Sequence, residues 1–411
     1  MDANQFRYDP YAPEAYRNPL PYYRVLRDRH PVYRLEQYDG WALSRFADVW
    51  EAFRDRENFS EAEGQIFDRQ RISTPLNGPP PPSPTDPLPI FNDLDPPLHS
   101  EMRRVLDPPL LPGALHRLEE PLRAELRRRL DDLLARGRFC ANQDLASPLA
   151  AFAVCRITGL AFADLGHVIG LVNTALAREP GQTGISAAGW QAIAEIHARL
   201  AEQIAARRVQ LAGGTATPGA TMLDGLLAAE VRGRRLTDEE IARQLSTILI
   251  GGTESLPKVV AGGLLELAQR PDQRRIAGQG PDAAARAFEE MVRFCAPAQW
   301  FGRTLKRDAT VAGQAMRAGQ RVFLLVASAN RDEREFDAPD EFRADRHMRR
   351  VAAFGVGPHF CIGIHIARLL GRLIVGELLA RVPDFAADTA AGHRAVSEFQ
   401  CGWMRLPLLV A

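Results

Sequence analysis

The chain has 411 residues, enough to bury a large core, and its 46% hydrophobic and 25% charged content is ordinary for a globular protein. Lys+Arg and Asp+Glu number 51 each, so no bulk charge invites nucleic acid or an anionic membrane, and no apolar run approaches the roughly 18 residues that span a bilayer. Five scattered cysteines without a CxxC argue against a disulfide framework, and the opening MDANQFRYDP lacks a signal-peptide core, so a reducing, cytoplasmic setting is expected.

Taken in order, residues 1–30 are rich in Pro, Tyr and Arg and are expected to wrap the surface before a short helix near 19–29. Val32–Leu35 and Trp41–Ser44, separated by Tyr38-Asp39-Gly40, read as a hairpin, and a helix pattern follows from Ala47 to about Arg54. Residues 60–94 are the most irregular part: Pro79 to Pro82, Pro84, Pro87 and Pro89 forbid regular helix and stiffen an extended loop. Ile66, Phe67, Ile90 and Phe91 are costly to leave in water, which favours a pocket wall over a plain surface linker.

From Asp95 helical periodicity dominates to about Arg270, with breaks at Pro108-Pro109, Gly137, Ser147-Pro148, 179–186 and 212–219. The helices flanking 179–186 (about 162–178 and 187–211) are expected to form a hinged pair over a pocket. At the start of this region, His99 and Arg103 stand four apart on one helix face.

Gly251-Gly252-Thr253-Glu254-Ser255 lies inside the long helical stretch 237–268. Each mid-helix glycine costs about 1 kcal/mol against alanine, so the backbone there is expected to be bare for a reason. An acid followed by a hydroxyl suits a proton relay, although an isolated helix glutamate is more often a solvated surface group. Pro257 cannot donate to the Thr253 carbonyl, so a kink or widening is expected over 251–257, with that carbonyl left to water or to Ser255.

Glu290-x-x-Arg293 has the one-turn spacing of an ordinary surface ion pair. After Pro297 short β-like runs (Gly302–Leu305, Thr310–Val311, Arg321–Leu325) alternate with turns, and a meander rich in Arg, Asp and Phe covers 331–353. The loop Phe354-Gly355-Val356-Gly357-Pro358-His359-Phe360-Cys361-Ile362-Gly363 then opens a helix running to about Arg381, before a short β-like tail ending Leu406–Val410. A cysteine at a helix N-terminus feels the positive end of the helix dipole, which favours its thiolate. Gly355 and Gly357 permit a sharp turn and Gly363 lets something bulky approach. A shielded thiolate beside a flat space suits axial ligation of haem iron. The plainer alternatives are a buried structural cysteine or a small metal site of His359, Cys361 and His365.

The loop resembles the haem-binding loop of the cytochromes P-450, with Phe354, Gly355, Gly357, His359, Cys361 and Gly363 on its fixed positions. The resemblance runs from the Asp95-Pro96-Pro97 helix to the C-terminal strand. It implies a mainly α protein with a small β region, in the triangular P-450 fold. The whole chain 1–411 would be one domain, with a helical body over about 95–296, β regions at about 30–45, 300–326 and 395–411, and the haem loop at 354–363. Cys361 would bind the iron of heme b (iron protoporphyrin IX), and His99, Arg103, Arg303 and His359 would clamp the propionates. Gly251, Gly252, Glu254 and Ser255 would form the oxygen-activating segment, with serine where threonine is usual. The β-branch is then missing, so a looser relay that leaks more peroxide is expected. Glu290, Arg293 and Arg346 would make a structural cluster, with Ala344 where proline is common. Ile90, Phe91, Ile248, Ala298 and Gln299 would line the substrate pocket, Gln299 as a polar handle.

The implied activity is monooxygenation of a small apolar organic substrate by O2, as a monomer. No flavin or iron–sulfur segment is present, so electrons from NAD(P)H would arrive through a ferredoxin or flavodoxin and its reductase. Arg349 and Arg350, with Arg103, Arg104 and Arg372, would dock that partner. The rivals are a peroxide-driven peroxygenase, a nitric-oxide reductase and a non-catalytic haem-thiolate ligand-binding protein.

Overall fold

A computed structural model describes residues 6–73, 87–178, 182–215, 219 and 221–410. Its axis is the helix Asp238–Gln269, and the reason it starts where it does is local. Thr237 accepts from the Glu240 N–H while the Glu240 carboxylate accepts from the Thr237 N–H, a capping box that satisfies two otherwise orphaned donors. Asp238, Glu239 and Glu240 in the first turn complement the helix dipole. This is the one helix among the described residues long and apolar enough to cross a membrane, but 72% of its apolar window is buried inside the fold, as in a core helix.

The central helix packs against Ser147–Thr158, Ala187–Ala212 and Pro281–Phe294. Close approach is built into the contacts. A Cβ on Gly263 would lie 2.2 Å from Met291, and one on Gly371 would lie 2.1 Å from Phe288, so Pro281–Phe294 seats directly on both the central helix and the helix Ile364–Arg381. One apolar cluster joins these helices. A second joins the other half of the central helix to Leu165–Leu176 and Ala187–Ala212, the two helices expected at about 162–178 and 187–211.

The β region is a five-stranded sheet in the order Val32–Leu35, Gly40–Leu43, Arg321–Leu324, Phe301–Leu305, Phe59–Ser60. The expected hairpin is there, with Val32 opposite Leu43, and the register of the later strands puts Arg303 opposite Val322. A second sheet joins Phe385–Ala387, Pro407–Val410 and Arg138–Cys140.

Three expectations change. The helix is α-helical through Gly251 to Pro257, so the expected widening is not seen. Asn142, in a π-helical turn Ala141–Ala146, ties this part of the helix to its surroundings, its Nδ2 donating to the Pro257 carbonyl at 3.1 Å and to that of Trp403 at 2.6 Å. Phe67 is not a pocket wall; it is fully buried among Trp300 and Phe323 in the sheet-side core, and a Cβ on Gly302 would strike its ring at 2.4 Å. Ile66 beside it is 42% exposed. The run Pro79 to Pro84 lies outside the described residues.

Candidate active site

The cysteine loop is held by its own backbone. The Cys361 N–H donates to the Phe354 carbonyl at 2.8 Å, and the Ile364 N–H returns to the Cys361 carbonyl at 3.2 Å. Gly355 and Gly357 have φ of 64° and 82°, the left-handed region, and a Cβ on Gly357 would lie 2.7 Å from the Phe53 carbonyl. Gly363 is different: its φ is −86°, and a Cβ there would meet only Ile366 at 3.8 Å and Cys361 Sγ at 3.9 Å. It leaves space beside the sulfur.

Burial pushes the Cys361 thiol above its ordinary pKa, against the Gly363 N–H and the charges of Arg103 and Arg368. The helix begins three residues on, at Ile364, so its dipole alone does not make the thiolate; a bound cation would. The alternative trio His359, Cys361 and His365 is not assembled. The one His/Cys/Asp/Glu group close enough to hold a metal ion, among the described residues, is Glu61, Asp95 and His359.

Around this loop four cation or donor side chains meet. His99, buried in the helix Leu98–Leu106, stacks on His359 with ring centroids 3.8 Å apart. Arg103 lies over the Phe360 ring and donates to the carbonyls of Pro358 (3.3 Å) and Phe360 (3.0 Å). Arg303 is buried with its Nε 2.7 Å from Glu61 Oε1 and its guanidinium over the Phe53 ring. Gln65 Nε2, fixed by its bond to the Asn92 carbonyl, faces His359 Nδ1 at 3.2 Å. Burial and neighbouring positive charge lower His99 to about 4 and His359 to about 2, so both rings are neutral.

Haem fits these residues. Nε2 of His99 and of His359 are buried with no hydrogen-bond partner, a cost of about 1–3 kcal/mol each that a propionate oxygen would remove. On the central helix the two glycines have separate reasons. A Cβ on Gly252 would strike Val154 at 2.5 Å, so that glycine serves helix packing, whereas a Cβ on Gly251 would meet nothing within 4 Å. Gly251 faces open space. Ile362 and Ile366, just after the cysteine, pack against the cluster that holds Phe91 and Ile248, so the two elements are neighbours.

The acid–alcohol pair differs from expectation in its wiring. Ser255 Oγ donates to Glu254 Oε2 at 2.9 Å rather than to the Thr253 carbonyl, and Thr253 Oγ1 bonds the Leu249 carbonyl at 2.7 Å. Lys258, one turn on and only 3% exposed, donates to Glu254 Oε1. Glu254 is thus a nearly buried carboxylate held by a hydroxyl and an ammonium. Lys258 was missed in the sequence, although the Glu254-x-x-x-Lys258 spacing was a readable signal. Glu61 was missed too, and no local pattern marks it.

Glu290, Arg293 and Arg346 come together as expected. Arg293 makes two bonds of 2.7 Å to the Glu290 carboxylate, Arg346 approaches at 3.1 and 3.2 Å, and the Arg343 N–H adds a bond of 2.9 Å. The spare guanidinium donors reach the carbonyls of Asn330, Pro339, Ala338 and Glu341. In place of the usual proline, the Ala344 N–H donates to Gln273 Oε1 at 2.8 Å.

Of the pocket candidates, Phe91 and Ile248 share one apolar cluster and Ile90 is half-buried. Ala298 and Gln299 do not join them. Ala298 packs with the sheet-side core, and the Gln299 amide is fully engaged by the Tyr23 hydroxyl and the carbonyls of Tyr16 and Ser397. Gln299 is a buried cross-link rather than a polar handle. In the arginine patch, Arg103 is buried, Arg350 is clamped on Glu335 by two bonds of 2.8 Å and Arg372 pairs with Glu119, which leaves Arg104 and Arg349 exposed.

The cytochrome P450 family model matches residues 284–382, from the Glu290 helix through the cysteine-loop helix. The cytochrome P450 numbered 123 of Mycobacterium bovis is 31% identical over 404 residues, covering 98% of this chain and 96% of its own length. A beta-dihydromenaquinone-9 omega-hydroxylase of Mycobacterium bovis is 32% identical over 378 residues, covering 91% of this chain and 73% of its own. Among solved structures, cytochrome P450 CYP109Q5 from Chondromyces apiculatus superposes with a TM-score of 0.81 at 28% identity, covering 98% of each chain. The cysteine loop, the saturated Glu290 cluster and these likenesses agree: the chain belongs to the cytochrome P450 family and is a haem-using monooxygenase.

Proposed function

We propose that residues 1–411 act as one haem-thiolate monooxygenase domain that inserts an atom of O2 into a C–H or C=C bond of a small apolar organic substrate. The cofactor is heme b, the setting cytoplasmic and the working form a monomer. Electrons come from NAD(P)H through a separate ferredoxin or flavodoxin and its reductase. The observation that carries this reading is the pair of buried, unpartnered imidazole nitrogens of His99 and His359 beside the Cys361 loop. The hydroxylase name of one relative supports oxygen insertion into a saturated carbon.

When bound, haem supplies the activation of O2, which no side chain of this protein can perform. Cys361 would supply the sulfur that holds the iron. His99, Arg103, Arg303 and His359 orient the propionate edge. Glu254 receives a proton at Oε2 and Ser255 Oγ passes one on, while Lys258 keeps the carboxylate in place between transfers. Phe91 and Ile248 present an apolar face to substrate and exclude water, and exposed Arg104 and Arg349 attract an acidic electron donor.

The test joins a spectrum to turnover. The reduced carbon-monoxide adduct should show the red-displaced Soret band of sulfur-ligated iron, and Cys361→His should abolish it. A ferredoxin, its reductase and NADPH should then yield an oxygenated product from compounds that shift the haem to high spin. Protein that binds no haem, or NADPH consumption with no oxygenated product from any such compound, overturns the reading.

A further inference from the structure

Glu61 follows the edge strand Phe59–Ser60 and is only 7% exposed. Its Oε1 lies 2.7 Å from Arg303 Nε and its Oε2 lies 3.5 Å from His359 Nε2. It therefore stands on two of the groups that the reading above gives to a haem propionate. The cation supply around it is short. Arg303 is the one guanidinium in contact with it, and Arg103, the other guanidinium given to the propionate, is already paired with Asp107. Asp95 accepts from the Glu61 N–H at 3.0 Å and from Ser60 Oγ at 2.7 Å, and the half-exposed Lys306 donates to the Arg56 carbonyl at 3.1 Å and lies 3.9 Å from Asp95. A propionate added here makes three carboxylates against Arg303 and an Arg103 already shared with Asp107. Like charges this close raise one another's pKa until one takes a proton. Glu61 is the one to yield, because its side chain is 9% exposed against 26% for Asp95.

We propose that Glu61 helps hold haem as a neutral carboxylic acid: seating the propionate draws one proton from solvent, which Glu61 and the propionate then share. This rests on the haem reading above and adds a binding residue to it. Burial, reinforced by Asp95 and opposed by Arg303, already raises the Glu61 carboxyl to about 7. The sign follows. A carboxyl whose pKa rises further on haem binding makes binding strongest at or below pH 7 and weaker as pH climbs toward the bound-state value, by up to about tenfold per pH unit.

The experiment measures haem release from the holoenzyme into excess apomyoglobin between pH 6 and 9. Wild-type release should be flat below pH 7 and quicken by about tenfold per unit above it, Glu61→Asp should keep that slope, and Glu61→Gln should be flat throughout. The infrared carbonyl band of a protonated carboxyl should be present in wild-type holoenzyme at pH 7.5, persist while release quickens and vanish at the higher pH where release levels off; this readout stands even if Glu61→Gln fails to accumulate. A flat wild-type profile, an unchanged slope in Glu61→Gln, or no such band overturns the inference. Wild-type protein without sulfur-ligated haem overturns the underlying reading instead.

Discussion

Two buried ionic clusters, both built on a glutamate and an arginine, behave in opposite ways. At Glu290 every carboxylate position is taken, and the guanidinium donors of Arg293 and Arg346 end on backbone carbonyls. At Glu61 the partner Arg303 is equally buried, yet Nε2 of the adjoining His359 and of His99 make no hydrogen bond, with Glu61 Oε2 no nearer to the former than 3.5 Å. A saturated cluster has no capacity left for a ligand and serves the fold. An unsaturated one is a site whose last partner comes from outside the chain.

Breaking the saturated cluster should do the most damage. Glu290→Ala strands two buried guanidinium groups, an expected loss of about 3–5 kcal/mol, which thermal unfolding should register as a large drop in Tm together with loss of haem content. Lys258→Met comes next. It leaves the nearly buried Glu254 carboxylate without its cation, and the product formed per NADPH consumed should fall several-fold, with peroxide assay accounting for the lost electrons. In the unsaturated cluster, His99→Phe should keep the ring stack and the fold. It should speed haem loss about tenfold, equivalent to one charge-assisted bond of about 1.5 kcal/mol, with far-ultraviolet circular dichroism unchanged. An equal fall in Tm for His99→Phe and Glu290→Ala would erase the distinction between the clusters. The smallest effect is expected for Ser255→Thr, whose β-branch stiffens the hydroxyl and should lower peroxide release about twofold.

How much of this could be read from residues alone follows the same division. The cysteine loop, the Glu290/Arg293 turn and the Gly251–Ser255 segment are short-range patterns in which neighbours in sequence do one job, and each lies where the pattern placed it. Arg346 joined Glu290 as the family resemblance implied. What escaped depends on distant contacts. Glu61 gains its meaning only because the sheet carries Arg303 beside it, 242 residues on. Pro257 suggested a widened helix, yet it sits in unbroken α-helix, and the tie that reaches its carbonyl comes from Asn142 on a π turn with no sequence signature. Gln299 looked like a free amide until Tyr23 and Ser397 arrived from opposite ends of the chain.

The segment carrying Leu88 and Phe91 is strapped to the central helix. Leu88 N–H donates to Glu240 at 2.6 Å, Phe91 N–H to Gln244 at 2.8 Å, and Gln244 returns a bond of 2.9 Å to the Pro89 carbonyl. That segment cannot shift unless the helix itself is disturbed. Amide exchange at Leu88 and Phe91 should accordingly be as slow as in the helix that holds them.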